Sequence, residues 1–295
     1  MSTATLKLAD DRRLVYGLYG HPQGKPLLFF HGFPGSHSQA LMIDEQAKAG
    51  GIRVIAPDRP GFGGSSPAPR RTLLSWASDV AALADHLGYA RFDVMGVSCG
   101  GAYALACAHE LPQRVTTVFM IAGMGPMDLP DIRREQLPLL TILFALARRA
   151  PWSISPLLAL DRWLYRYDPV RAVKMVSGML REPDRRLLAQ QPAQALAFGN
   201  SLAEAYQQGI GGAMREAQLI GSPRPYALQA ITTPVHVLQD AHDRHVPPTM
   251  GRYLAAQLPN GRLHEYPDEG HLSILPNSFK DVVALMRETK LSACA

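Results

Sequence analysis

The chain has 295 residues, of which 47% are apolar and 19% are charged, with a formal net charge of +5. This length can bury a large core, and the composition is that of a globular enzyme rather than a disordered or fibrous chain. The lysines and arginines are scattered in short doublets without interleaved aromatic residues, so we predict no nucleic-acid partner.

The cysteines, Cys99, Cys107 and Cys294, have no spacing typical of a disulfide framework, which indicates a reducing compartment. The first residues contain no apolar segment typical of a signal peptide. The longest apolar run, residues 137–147, is too short to span a bilayer. We therefore expect a cytoplasmic protein and do not expect contact with a membrane.

Short aliphatic runs alternate with helical patterns through the first part of the chain. This alternation predicts a mainly parallel sheet with helices on both faces. The predicted strands are residues 5–9, 13–19, 26–31, 53–56, 92–97 and 115–122, and the clearest helices are 73–87 and 101–111.

The alternation stops near residue 125 and is replaced by helical periods broken by prolines. Within this stretch the pattern Ser201-x-x-Glu204 predicts the start of a helix. Strand patterns resume at residues 234–238 and 263–266, and a last helix covers 272–287. We predict a core formed by residues 1–125 and 232–295, with an all-helical cap inserted at 126–231.

The pentapeptide Gly96-Val97-Ser98-Cys99-Gly100 lies between a buried strand and a helix of small residues, which is the context of a nucleophile elbow. A serine hydroxyl is a poor nucleophile unless a strained turn projects it towards a base. The N–H of Cys99 would face the oxyanion of a tetrahedral intermediate, and its thiol would point away, into the core. We predict Ser98 as the nucleophile.

A serine needs a base, and the base needs a group that orients it. Position selects His271 among ten histidines, because it follows the last predicted strand at the sheet edge where Ser98 lies. Asp243 follows the preceding strand, and the order Ser98, Asp243, His271 is typical of hydrolases built on open α/β sheets. Asp240, nearer the strand end, and Asp128, after an earlier strand, are alternative acids.

The loop His31-Gly32-Phe33-Pro34-Gly35 follows a predicted strand, and its glycines let the N–H of Phe33 face the same point as that of Cys99. The glycine-rich tract 58–66 lacks the end of a phosphate-binding loop, so we interpret it as a structural bend. His242, Asp243 and His245 lack a third ligand at metal-binding spacing, and we expect neither a metal nor a cofactor.

Together these motifs resemble the α/β-hydrolase superfamily over essentially the whole chain. The resemblance implies a mostly parallel eight-stranded sheet flanked by helices, with a helical cap. It also implies that Ser98 is the nucleophile, His271 the base, Asp243 the group that orients the base, and Phe33 and Cys99 the backbone donors of the oxyanion hole.

Several residues of this chain depart from the patterns of individual groups within the superfamily, and these departures narrow the choice of activity. Haloalkane dehalogenases and epoxide hydrolases carry aspartate where this chain has Ser98. Hydrolases of C–C bonds usually have asparagine at the position of Val97, and proline iminopeptidases differ at Phe33 and Cys99.

We therefore predict hydrolysis of a carboxylic ester, lactone or thioester through an acyl-enzyme on Ser98. The alternatives are a C–C bond or amide hydrolase with the same triad, and a non-catalytic small-molecule receptor on the same fold. Fold alone does not choose between them. The aromatic residues Trp152, Trp163, Tyr165 and Phe198 of the insertion predict an apolar pocket for a small-molecule substrate.

Overall fold

The computed structural model describes residues 2–177 and 180–292, so Cys294 lies outside the described residues. Within those ranges, eight strands form one sheet in the spatial order β1-β2-β4-β3-β5-β6-β7-β8. The strands are β1 (Ser2–Lys7), β2 (Arg13–Gly20), β3 (Lys25–Phe30), β4 (Ile52–Pro57), β5 (Phe92–Val97), β6 (Val115–Ile121), β7 (Val235–Asp240) and β8 (Gly261–Tyr266). β2 is antiparallel to both β1 and β4, and the other pairs are parallel. The predicted fold is confirmed.

Helices cover both faces of this sheet. They are α1 (Asp44–Gly50), α2 (Trp76–His86), α3 (Gly100–Glu110), α4 (Pro138–Arg149), α5 (Ser155–Tyr167), α6 (Pro169–Ser177), α7 (Glu182–Gln190), α8 (Pro192–Ala205), α9 (Gly211–Gly221), α10 (Pro248–Gln257) and α11 (Ile274–Ser292). Side chains alternate along β3, so that Leu28 and Phe30 pack in the cluster with α2 and α3, whereas Leu27 and Phe29 pack with α1 and α11.

The predicted strands and helices agree with the structure to within a few residues at most ends. One helix was not predicted, namely α10 between β7 and β8, which begins at a proline in its first turn. The expectation that Ser201 and Glu204 begin a helix is wrong. Both lie near the end of α8, and their side chains contact the core at Ser36 and Ser38 instead.

Helices α4–α9 lie between β6 and β7, in the stretch 126–231 that we call the insertion. The insertion contacts the core at the loops that follow the carboxyl ends of the strands. For example, α8 packs on the 3₁₀ turn His37–Ile43, and Gly212 lies against Gly61. None of the helices within residues 2–177 and 180–292 combines the length and the apolar character that a membrane span requires.

Candidate active site

Ser98 stands on a strained turn between β5 and α3. Its φ is 54°, in the left-handed region that residues other than glycine rarely adopt. Hydrogen bonds on both sides hold this conformation: the Ser98 N–H donates to the Ile121 carbonyl at 2.9 Å, and its carbonyl accepts from Gly101 at 3.0 Å and Met124 at 2.9 Å. Strain of this kind persists only where the surroundings fix it, and it is typical of functional sites.

The glycines that flank Ser98 are required by close backbone contacts. A Cβ at Gly100 would lie 2.2 Å from the carbonyl oxygen of Phe30, at the end of β3. A Cβ at Gly96 would lie 2.4 Å from the carbonyl oxygen of Gly100. Any larger residue at either position would push the elbow away from the sheet.

Asp243, which is buried, and His271, which is partly buried, form a hydrogen-bonded pair. The two loops that carry them follow neighbouring parallel strands, β7 and β8, which brings Nδ1 of His271 to 2.6 Å from Oδ2 of Asp243. The other oxygen, Oδ1, accepts from the N–H groups of His245 at 2.7 Å and Val246 at 3.0 Å. With Nδ1 donating to the carboxylate, Nε2 of His271 is left as an acceptor. Ser98 and His271 line the same cavity.

Asp243 and His271 each favour the charged form of the other. Burial raises the pKa of the Asp243 carboxyl, but His271 and the hydrogen bonds lower it by more, so that the net shift is downward. Burial also lowers the pKa of the His271 imidazole, yet the Asp243 carboxylate raises it above 6.5 overall. The arrangement can hold His271 in one tautomer and stabilise its protonated form.

The alternative acids are not paired with His271. Asp240 accepts from the N–H of His242 at 2.8 Å with one oxygen, and its other oxygen is buried without a hydrogen-bond partner. Burial raises the pKa of this carboxyl to about 7, and the nearby Asp243 charge adds to the increase. Asp128 lines two surface pockets away from Ser98.

The two predicted oxyanion donors reach the cavity that contains Ser98. Phe33 and Cys99 both line it, and among the described residues neither backbone N–H donates to a protein acceptor. Two free N–H groups beside a serine can bind the oxygen of a tetrahedral intermediate. The Cys99 thiol is buried and burial raises its pKa to about 12, so that it stays protonated at neutral pH.

The cavity has a volume of about 210 Å³ and is mostly apolar. Its apolar lining comprises Phe33, Pro34, Met42, Val97, Met124, Leu140, Phe144, Tyr165, Leu180, Phe198, Leu202, Leu272 and Leu275. Two of the four predicted aromatic residues, Tyr165 and Phe198, belong to this lining. Trp152 and Trp163 are 75% and 61% exposed and lie outside it, so the structure does not place them at the cavity. Contact of any of the four with substrate stays a prediction.

Two neighbours of His271, His245 and Asp184, were not predicted to belong to the site. The ring of His245 stacks on that of His271 with centroids 4.9 Å apart and also lines the cavity. Burial, together with the charge of His271, lowers the pKa of His245 to about 4, so its imidazole is neutral at pH 7. Asp184 of α7 accepts from the N–H groups of Leu272 at 2.9 Å and Ser273 at 3.0 Å, and thereby holds the loop of His271. No local pattern marks either residue.

Among the described residues, Asp243, His245 and His271 form the one group whose ligand atoms lie close enough to hold a metal, within 4.8 Å. Two ligands of a tetrahedral zinc ion, each at about 2.0–2.1 Å, stand about 3.3 Å apart. The 2.6 Å between Asp243 and His271 is shorter than this spacing and is that of a charge-assisted hydrogen bond. The geometry therefore fits a proton-transfer pair better than a metal centre.

The chain is similar to known proteins both in sequence and in three-dimensional structure. A sequence model for the alpha/beta hydrolase fold matches residues 25–278. A poly(3-hydroxyalkanoate) depolymerase of Ectopseudomonas oleovorans is 29% identical over 87% of this chain and 81% of that protein. A 2-hydroxymuconate semialdehyde hydrolase of Pseudomonas putida is 25% identical over 86% of this chain and 83% of that protein. The solved structure of an esterase from Exiguobacterium antarcticum superimposes with a TM-score of 0.70 at 17% identity, over 97% of this chain and 98% of that one.

Because the Asp240 carboxyl is buried, replacing it by asparagine should change thermal stability in a pH-dependent way. The folded protein binds a proton at Asp240 up to about pH 7, whereas an unfolded aspartate releases it near pH 3.9. Stability from this group is therefore lost as pH rises from about 4 to 7. Asp240→Asn keeps the oxygen that faces His242 and has no proton to release. The Tm of the variant minus that of the wild type, from thermal unfolding, should be larger at pH 7.5 than at pH 4.5.

The control is Asp131→Asn, whose carboxylate is 81% exposed and pairs with Arg134 at the surface. It should show no such trend, because water screens an exposed ion pair of this kind. An Asp240→Asn difference that is equal at the two pH values would contradict a protonated carboxyl in the folded protein.

Proposed function

The chain belongs to the family of the alpha/beta hydrolase fold, and we propose that it is a serine hydrolase that cleaves a carboxylic ester, lactone or thioester of an apolar small molecule. The observation that carries this proposal is the 2.6 Å pair of Asp243 and His271 at the cavity that holds Ser98 on its strained turn. The depolymerase relative supports the ester, because a poly(hydroxyalkanoate) is a polyester and that protein matches across most of both chains.

In the first half of the proposed reaction, Oγ of Ser98 forms a bond to the carbonyl carbon of the ester while Nε2 of His271 takes the hydroxyl proton. The negative oxygen that results accepts from the N–H groups of Phe33 and Cys99. The C–O bond to the alcohol then breaks, and the imidazolium returns its proton to the departing oxygen. Asp243 stays ionised and stabilises the imidazolium.

In the second half, a water molecule attacks the acyl group on Ser98 as His271 accepts one of its protons. The bond to Oγ breaks, Ser98 regains its proton from His271, and the acid departs. Each step uses only groups of this chain, the substrate and water. No cofactor or metal enters the proposed mechanism.

The cavity supports an apolar acyl or alcohol group. An apolar cavity of about 150 Å³ holds a benzene ring in another protein, so about 210 Å³ accommodates a group of that class with some extension. The polar side chains that line it, Gln39, Ser98, His245 and His271, are few. We propose that they orient the ester, while burial of apolar surface supplies most of the affinity.

We propose that the insertion, residues 126–231, acts as a cap that selects the substrate, on a core of residues 1–125 and 232–295. Its support is the set of side chains that the insertion contributes to the cavity, which are Leu140, Phe144, Tyr165, Leu180, Phe198 and Leu202. The core contributes the reacting groups. The cytoplasmic location and the lack of a nucleic-acid partner stay predictions from the sequence.

A second candidate is hydrolysis of a C–C bond with the same triad. It is favoured by the 2-hydroxymuconate semialdehyde hydrolase relative, which also matches across most of both chains. The ester is preferred, because the depolymerase is the more similar of the two at 29% against 25% identity. Turnover of p-nitrophenyl esters separates either hydrolase from a non-catalytic receptor, and the ratio of ester turnover to C–C bond turnover separates the two hydrolases.

Replacing Ser98 by alanine should abolish covalent labelling by a fluorophosphonate and lower kcat for p-nitrophenyl esters by about 10⁴ to 10⁶-fold, since the acyl-enzyme cannot form. Labelling is measured by intact-protein mass spectrometry and kcat by release of p-nitrophenol. Ser278→Ala, at a buried serine of α11, is the matched control and should keep both properties. Unchanged labelling of Ser98→Ala would refute the nucleophile.

Replacing Asp243 by asparagine should lower kcat by about 10⁴-fold, because the imidazole loses both its tautomer and its counter-charge. In the wild type, kcat/KM should fall as pH drops through the pKa of His271, which lies above 6.5. In the variant this acidic limb should move to lower pH. The comparison is Asp240→Asn, which should change kcat far less. If the two variants behave in reverse, Asp240 orients the base.

Replacing Phe198 or Tyr165 by alanine should change kcat/KM unequally across a series of p-nitrophenyl esters with acyl chains of two to ten carbons. Both side chains line the cavity. Each substitution removes apolar contact with the substrate worth up to about 3 kcal/mol when the side chain is fully buried. The exposed Trp152→Ala and Trp163→Ala are the controls and should scale all the esters equally. If the Phe198 and Tyr165 variants also lose kcat/KM by the same factor for every ester, the insertion does not select the acyl group.

A further inference from the structure

Arg59 is a fully buried arginine in the glycine-rich tract that the sequence analysis interpreted as a bend. Its guanidinium donates from Nη1 to the carbonyl of His31 at 2.6 Å and from Nη2 to the carbonyl of Gly32 at 2.9 Å. Nε donates to Oε2 of Glu216 at 2.9 Å, and Nη2 also contacts Oε1 of the same carboxylate. Arg59 thus joins the loop that carries Phe33 to a side chain of α9 in the insertion.

The carbonyl of Gly32 and the N–H of Phe33 belong to one peptide unit. This unit is trans, since the cis bond of the loop is the next one, Phe33–Pro34. A planar trans peptide points its N–H opposite to its carbonyl, so the donors that hold the Gly32 oxygen also set the direction of the Phe33 N–H. Arg59 is one of them, and Nδ1 of His31, also 2.9 Å from this oxygen, is the other. The preceding peptide is held as well, because the Gly32 N–H donates to Oε1 of Gln39 at 2.7 Å.

The guanidinium also polarises this peptide. A cation beside the carbonyl oxygen draws electron density of the peptide towards that oxygen, which makes the N–H of the same peptide a stronger donor. The effect is larger in a medium of low dielectric constant. Arg59 and Glu216 are both fully buried, so water screens little of this charge. Burial raises the pKa of the Glu216 carboxyl, but Arg59 and Arg71 lower it by more, which keeps Glu216 ionised.

We propose that Arg59 is a positioning residue that orients and strengthens the Phe33 N–H of the oxyanion hole, and that Glu216 of the insertion holds Arg59 in place. The insertion then contributes to the reaction itself as well as to the choice of substrate. This inference rests on the proposed function, because it concerns the oxyanion of the Ser98 intermediate.

The test compares Arg59→Lys with Arg71→Lys. Arg71 donates to the same Glu216 carboxylate at 3.1 Å and to Tyr103 and the Gly212 carbonyl. In the part of the chain that the structure describes, its side chain makes no hydrogen bond to the loop that carries Phe33. Both variants lose a buried guanidinium from one cluster, so their losses of Tm should be similar. Only Arg59→Lys removes a donor that faces the peptide of Phe33.

The readouts are kcat and KM for a p-nitrophenyl ester and the inhibition constants of two ketones. An alkyl trifluoromethyl ketone adds to Ser98 and places an oxyanion in the hole, whereas the matching methyl ketone occupies the cavity without adding. Loss of a whole oxyanion donor costs about 10² to 10³ in kcat. Arg59→Lys, which misdirects a donor, should lose about 10 to 100-fold in both kcat and trifluoromethyl ketone affinity. KM and methyl ketone affinity should change less than about threefold, and Arg71→Lys should lose less than about threefold in every readout.

Glu216→Gln serves as the second variant, and it decides the test where Arg59→Lys does not fold. It keeps the shape of the side chain and one acceptor oxygen but removes the charge that holds Arg59, so kcat and trifluoromethyl ketone affinity should fall together while KM is retained. Equal losses in kcat for Arg59→Lys and Arg71→Lys, or a Glu216→Gln variant with wild-type kcat, would overturn the inference. A wild-type protein that forms no ketone adduct would instead overturn the proposed function.

Discussion

The start of α3 lies so close to the end of β3 that only glycine fits at position 100, where a Cβ would stand 2.2 Å from the Phe30 carbonyl. The rest of the site depends on this contact. Phe30 leads directly into the loop of Phe33, and Gly100 directly follows the turn of Ser98 and Cys99. The close approach of the two backbones therefore brings a strained serine and two unpaired N–H groups to one cavity. Such a site needs a rigid sheet beneath it, which the fully buried β5 supplies.

Three buried or partly buried carboxylates of the insertion bind loops of the core. Glu216 is joined to the loop of Phe33 through Arg59, Glu204 accepts from the hydroxyls of Ser36 and Ser38, and Asp184 accepts from the N–H groups after His271. Burying a carboxylate is costly unless charges or several donors compensate it. Glu216 has two arginines, so the pKa of its carboxyl is lowered. For Asp184, burial raises the pKa of the carboxyl by more than the two N–H donors and the charge of His271 lower it.

Asp240 and Asp243 show how strongly position decides the chemistry of one residue type. Asp243 accepts from His271 and from the N–H groups of His245 and Val246, and these donors keep its carboxylate ionised although it is buried. Among the described residues, the carboxyl of Asp240, at the end of β7, accepts only from the N–H of His242, and burial raises its pKa to about 7. A carboxylate that stays ionised beside His271 and a carboxyl with a strongly raised pKa are thus three residues apart.

Features that arise between neighbouring residues could be predicted from the sequence. Strand and helix periods and the glycines around Ser98 are local patterns, and they indicated the sheet and the elbow. The order of Ser98, Asp243 and His271 along the chain indicated which acid pairs with the histidine. Which apolar residues of the insertion face the cavity depends on the packing of the whole chain, which leaves Tyr165 and Phe198 inside and the two tryptophans outside. That packing also joins Arg59 to Glu216, which lie 157 residues apart. No periodicity marks such contacts, because they depend on how distant segments pack against one another.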